Sequence, residues 1–177
     1  MAAKASPLPA EFYLQPTEQV ALDLLGCLLV HDAAQGLTVG RIVETEAYLS
    51  DNDPGCHAAR GRTERNAPMF ERPGTIYVYH KCSHSEIANA VSPAEDVAEA
   101  VLLRAVEPLA GIEIMRARRG NKSLEELASG PAKLTQAFGI GAEHNRGNAT
   151  RGELLVAPAP EPVREIDQTT RIGLPRG

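Results

Sequence analysis

Apolar and polar positions follow two different periods along this chain. After Pro16, apolar residues recur at Val20, Ala21, Leu24 and Leu25, the spacing of a helix with one buried face. Thr17 can cap that helix, and Gly26 closes it. The pattern then shortens to that of strands, predicted over 27–31 and 37–48 around a turn at 32–36. Residues 51–58 predict one short turn of helix, followed by an Arg-rich loop running to Pro73-Gly74. A short strand over 75–79 is rich in β-branched and aromatic residues. Residues 92–96 read as a loop, and AVLLRAV at 100–106 as a buried strand. Helices follow over 111–119, 124–128 and 131–138, the last opening on Pro131, a residue suited to a first helical position. Then come a loop over 139–152, a strand over 153–156, and a last strand over 165–172 beyond Pro158, Pro160 and Pro162. The first dozen residues, with Pro7 and Pro9, read as a loose arm.

Strands and helices mix without a βαβα rhythm. The expected fold is therefore α+β: a single domain over 1–177, with a curved, mostly antiparallel, open-barrel-like sheet and flanking short helices. The 177 residues suit one domain, and 43% apolar composition supplies one core. The longest apolar run, 24–30, is far too short to cross a bilayer, and the first residues lack the apolar run of a signal peptide. Cys27, Cys56 and Cys82 are an odd, widely spaced set, read as reduced thiols. Together these predict a soluble, intracellular, cytoplasmic protein. The net charge of −5 argues against a protein that coats nucleic acid without specificity. Positive charge is unevenly spread, however, at +2 over 57–74 and +3 over 111–122, so a basic face on an acidic body stays open.

Four segments could carry chemistry. In a strand over RIVETEAY at 41–48, Glu44, Glu46 and Tyr48 share a face opposite Val43, Thr45 and Ala47. Two carboxylates beside a ring can activate water next to a flat substrate; a half-buried strand with a wetted polar face reads equally well. In PGTIYVY at 73–79, Tyr77 and Tyr79 share a face, and such rings can stack on a nucleobase, although Tyr77 also suits the core. Cys56, His57, His80, Cys82 and His84 offer soft metal ligands, but at the spacing of no common zinc finger. SGPAKL at 129–134 puts amides and a lysine at a helix start, where phosphate can bind or nothing need bind at all.

Taken together, these segments resemble the alkyladenine (3-methyladenine) DNA glycosylase family. The resemblance rests on IVETEAYL (42–49), His57, RN (65–66), MF (69–70) and PGTIYVY (73–79). It continues through VLLRAVEPLAGIEIMR (101–116), SGPAKLTQAFGI (129–140) and RIG (171–173), in family order. It implies a monofunctional enzyme that flips a damaged purine nucleotide out of duplex DNA and hydrolyses its glycosidic bond, leaving an abasic site. By this analogy Tyr48, His57 and Tyr79 clasp the base, and the His57 amide reads the purine edge. Glu46 activates the attacking water, Arg104 helps hold it, and Glu44 is structural. Asn89 falls where the family has an asparagine that excludes normal guanine, and Cys82 where it has a DNA-wedging side chain. Arg60, Arg62 and Arg65 are candidates for phosphate contacts. No metal or organic cofactor is implied; the partner is double-stranded DNA containing damaged purines, and a monomer is expected.

Two departures are visible. The Tyr-Gly-Met-like segment usual after the second tyrosine is His80-Lys81-Cys82-Ser83-His84 here, and the chain stops four residues after RIG, where relatives continue with another strand. They keep open a lesion-binding protein without cleavage; a zinc-dependent hydrolase built on His57, His80, Cys82 and His84 is the remaining alternative.

Overall fold

One antiparallel sheet organises the chain. Its strands are β1 (Leu28–Ala33), β2 (Gly36–Tyr48), β3 (Ile76–Cys82), β4 (Ser85–Ser92), β5 (Glu99–Ala110) and β6 (Leu154–Ala157), in the spatial order β3-β4-β5-β2-β1-β6. The computed structural model describes residues 6–82, 85–92 and 94–171. The sheet curls into a half-barrel, the predicted α+β single domain. Among the described residues four short α-helices flank it: α1 (Thr17–Asp23), α2 (Ile112–Arg119), α3 (Leu124–Leu127) and α4 (Pro131–Phe138).

Strand alternation gives the sheet two different faces. Ile76, Val78, Ala88, Ala90, Val101 and Leu103 pack with Val20, Leu24, Leu134 and Phe138 from the helices in the main core. Phe138 is fully buried, and burial of such a ring contributes about 1.5–3 kcal/mol. A Cβ on Gly40 would lie 2.9 Å from Phe138 Cζ and 2.9 Å from Val106 Cγ2, so glycine is what lets the α4 ring press onto β2. The opposite face carries a smaller cluster of Cys56, Met69, Tyr77, Val91, Ala98 and Ala100, against which Tyr48, Ala58, Phe70 and Tyr79 are half-buried.

The helices fall where the periodicity puts them, and several other expectations are corrected. Thr17 does not cap α1: its hydroxyl donates to Glu99 Oε2 at 2.5 Å, and no side chain caps that end. Residues 51–58 form turns instead of helix, held by the Asp53 carboxylate, which accepts the Gly55 amide at 3.0 Å. β4 was not foreseen because Ser, Ala and Asn are weak strand formers; it holds as an interior strand between β3 and β5. The arm is not loose from Pro7 onward: Leu8 and Tyr13 are buried, and the Leu8 amide donates to Val156 O at 2.7 Å. Val156 in turn donates to Ala149 O at 3.0 Å, so both outward groups of this β6 residue are satisfied. No strand forms over 165–171, where three preceding prolines and almost complete exposure leave nothing to pair with; Ile172 lies outside the described residues. No helix among the described residues is long and apolar enough to cross a membrane.

Candidate active site

The second face of the sheet gathers the predicted residues. Register places Tyr77 opposite Asn89, Asn89 opposite Leu102, and Leu102 opposite Glu46, so one row of same-facing side chains crosses β3, β4, β5 and β2. The next row pairs Tyr48 with Ala100 and Val91 with Ala100. Glu44, Glu46 and Tyr48 do share a face, as the alternation predicts, while Thr45 on the other face donates to Ala21 O in α1 at 2.8 Å.

Glu46 is 7% exposed. The Tyr48 hydroxyl donates to its Oε2 at 2.8 Å, and Arg104 Nη1 lies 3.4 Å from its Oε1. Arg104 Nε also donates to Glu44 Oε1 at 3.0 Å, so one guanidinium serves both carboxylates. Burial, and then the hydrogen bond to Glu46, raise the Tyr48 phenol, which keeps its proton as donor.

His57 stands exposed at the rim, its ring edge-on to Tyr79 with centroids 4.4 Å apart, and its Nδ1 3.0 Å from the Tyr77 hydroxyl. Partial desolvation of the ring lowers the His57 pKa, and Arg65 and Lys81 push it the same way, which favours the uncharged imidazole. Tyr77 is 1% exposed, the core position that was one of its two readings, and burial pushes its phenol up to about 12. Asn89 is buried and donates to Tyr77 O at 3.1 Å. Arg62 lies over the Phe70 ring and Arg65 over Tyr79, at 5.2 and 5.3 Å, and Arg65 also donates to His80 O. Arg60 is exposed in the same loop. Cys82 ends β3 opposite Ser85, but its side chain, with Ser83 and His84, lies outside the described residues. Of the zinc alternative, His57 is engaged by Tyr77 and His80 by Glu86 at 3.1 Å.

Two supporting groups escaped the sequence reading. Asn66, 2% exposed, donates to His57 O and Gly61 O, both at 2.9 Å, and accepts the Thr63 amide, fixing the loop that presents His57. Arg171 grips both oxygens of Asp53 at 2.5 Å, donates to Ala47 O at 2.9 Å, and sets its guanidinium 4.5 Å above the Tyr48 ring. Burial alone would raise the Asp53 carboxyl; the bonds from Arg171 and the Leu49 amide outweigh it and hold the group below its ordinary value. Both residues sit in the matched RN and RIG motifs, yet only the fold brings them to His57 and Tyr48.

The chain is similar to known proteins along nearly its whole length. Among similar proteins are three provisionally named 3-methyladenine DNA glycosylases. That of Carboxydothermus hydrogenoformans is 49% identical over 96% of this chain and 90% of its own length. Those of Chlorobium phaeovibrioides and Chlorobaculum tepidum are 45% and 48% identical over 96% of this chain and 88% and 82% of theirs. The family model for methylpurine-DNA glycosylase (MPG) matches residues 11–177. With the buried carboxylate, its arginine and the surrounding rings on one sheet face, and a match over nearly the whole length, the chain belongs to the methylpurine-DNA glycosylase family.

Proposed function

We propose that this DNA glycosylase everts an alkylated or deaminated purine nucleotide from duplex DNA and hydrolyses its N-glycosidic bond with a water activated by Glu46, leaving an abasic site. The observation that carries the reading is the buried Glu46 carboxylate, held between Tyr48 and Arg104 on the face that presents Tyr79 and Asn89. His57 and Tyr79, with centroids 4.4 Å apart and crossed at 71°, leave no room for a base between them. They form one wall together, and Tyr48 forms the other. Arg171 covers one face of Tyr48, leaving the opposite face for stacking.

In the reaction, the water oxygen bonds to C1′ as the C1′–N bond breaks; its proton passes to Glu46 and the bonding pair leaves with the base. An N3- or N7-alkylated purine is cationic and departs without prior protonation. It stacks on electron-rich rings with about 0.5–2 kcal/mol of cation–π attraction, and a neutral His57 adds no repulsion. The His57 amide reads the purine edge and Asn89 discriminates against normal guanine. Arg60, Arg62 and Arg65, with Cys82 at the end of β3, meet the DNA backbone and the gap left by the everted nucleotide. The protein acts as a monomer inside the cell.

The test is a duplex carrying one 3-methyladenine, hypoxanthine or ethenoadenine, incubated with wild type and with Glu46→Gln. Wild type converts the site to an alkali-labile abasic product, and the variant is slower by about 10²–10⁴. Equal rates, or lesion-selective binding by wild type with no abasic product, would overturn the proposal.

A further inference from the structure

A second cluster of ligating side chains sits where β1, β6 and the loop after α4 meet. His31 on β1 is 3% exposed, and His144, at the end of the 3-10 turn Ala142–His144, is 8% exposed. Their rings cross at 88° with centroids 4.7 Å apart. The two Nε2 atoms are 3.2 Å from each other, and Glu153 Oε1, just before β6, is 3.7 Å from His144 Nε2. One ligand atom from each residue lies within 4.8 Å of the others. We propose that His31 Nε2, His144 Nε2 and the Glu153 carboxylate form a zinc-binding site, with solvent in the fourth position.

Three features carry this. Zinc–nitrogen bonds of about 2.0–2.1 Å at a tetrahedral angle put two ligand nitrogens about 3.3 Å apart, close to the spacing already present. The outer nitrogen of His31 also faces the kind of acceptor that orients metal-bound histidine, and a carboxylate stands near that of His144. His31 Nδ1 donates to Phe138 O at 2.7 Å, and His144 Nδ1 lies 3.4 Å from Glu143 Oε1. Finally, the charges facing the pair are Glu143, Glu153 and Arg118, a net negative set, and Arg118 is turned to Ala137 O and Gln35.

Without metal the pair is satisfied as a neutral chain: Gly141 N–H donates to His144 Nδ1, His144 Nε2–H to His31 Nε2, and His31 Nδ1–H to Phe138 O. Zinc takes the place of the shared proton. That proton moves to His144 Nδ1, where Glu143 accepts it, and the Gly141 amide gives up its acceptor. The ion would tie the edge strand β6 and the 142–144 turn to β1, away from the Glu46 face. Its role is mechanical bracing, independent of base excision.

The experiment uses the full chain, stripped with chelator and titrated with zinc chloride, read by calorimetry and by elemental analysis after desalting. One saturable zinc per chain is expected, and at a hundredfold excess over Kd a rise in Tm of about 5–10 °C. Glu153→Ala, a change at an exposed side chain, weakens zinc at least tenfold while leaving the zinc-free Tm unchanged, and His144→Gln abolishes saturable binding. Zinc also moves the His144 ring proton from Nε2 to Nδ1 in 15N NMR. No saturable zinc in wild type, or affinity unchanged in both variants, would overturn the site. Base release by the zinc-free protein tests the glycosylase reading separately.

Discussion

Replacing Arg171 by alanine removes two charge-assisted hydrogen bonds to Asp53, one to the Ala47 carbonyl, and the cation over Tyr48. The Asp53 and Arg171 side chains are 6% and 25% exposed, so the pair lies between two regimes. Exposed pairs are worth about 0.2–1 kcal/mol, whereas severing a buried pair costs about 3–5 kcal/mol. Asp53 retains the Leu49 and Gly55 amides after the change and is not stripped of partners. The cost of Arg171→Ala is therefore about 2 kcal/mol, or a Tm lower by about 4–8 °C in a chain of this size. Asp53→Asn should cost a similar amount. The double variant should cost little more than either, giving a coupling energy of about 1–2 kcal/mol in a cycle of four urea denaturation curves. Tyr48 keeps its bond to Glu46 in all four proteins, so the freed ring should show mainly as a higher KM for lesion duplex. Arg171→Lys, which keeps the charge but not the two-pronged grip, should fall between wild type and alanine. A coupling below about 0.5 kcal/mol would refute the reasoning, because it would make the pair an ordinary screened surface contact.

Tyr48→Phe keeps the ring but removes the donor to Glu46, so kcat should fall more than binding; single-turnover rates against lesion affinity check this. Phe138→Ala opens the core beside Gly40 and should cost about 3–5 kcal/mol in chemical denaturation. Arg62→Ala and Arg65→Ala should each lower the slope of log K against log salt by about 1 for duplex binding, with no change in lesion preference. The depressed Asp53 carboxyl adds stability that is complete above its unfolded pKa and is lost as pH falls below about 4, so Asp53→Asn should flatten the acid limb of the stability–pH curve. The lowered His57 pKa favours the uncharged ring, so excision of a cationic lesion should not fall between pH 7.5 and 6.5 on its account; His57→Phe should leave that limb unchanged.

The elements legible in the sequence were those whose local preference agrees with their burial. α4, from Pro131 to the glycine at 139, lies on its predicted residues, and the two-residue alternation of β2 placed Glu44, Glu46 and Tyr48 together correctly. β4 was hidden because its stability comes from both neighbouring strands and not from its own composition. The turn around Asp53 reads as helix locally and is decided instead by Arg171, 118 residues away. Asn66 was visible only as part of a motif, since its partners His57 and Gly61 are fixed by a loop without periodicity.

The tie between the Leu8 amide and the Val156 carbonyl has a practical corollary. A shortened protein beginning at residue 11, where the family match starts, would keep every group around Glu46 yet leave the outward Val156 carbonyl of β6 without the Leu8 amide. An opened acceptor on an edge strand invites pairing with another copy, and the truncated enzyme should be the more aggregation-prone one even if its first turnover is intact.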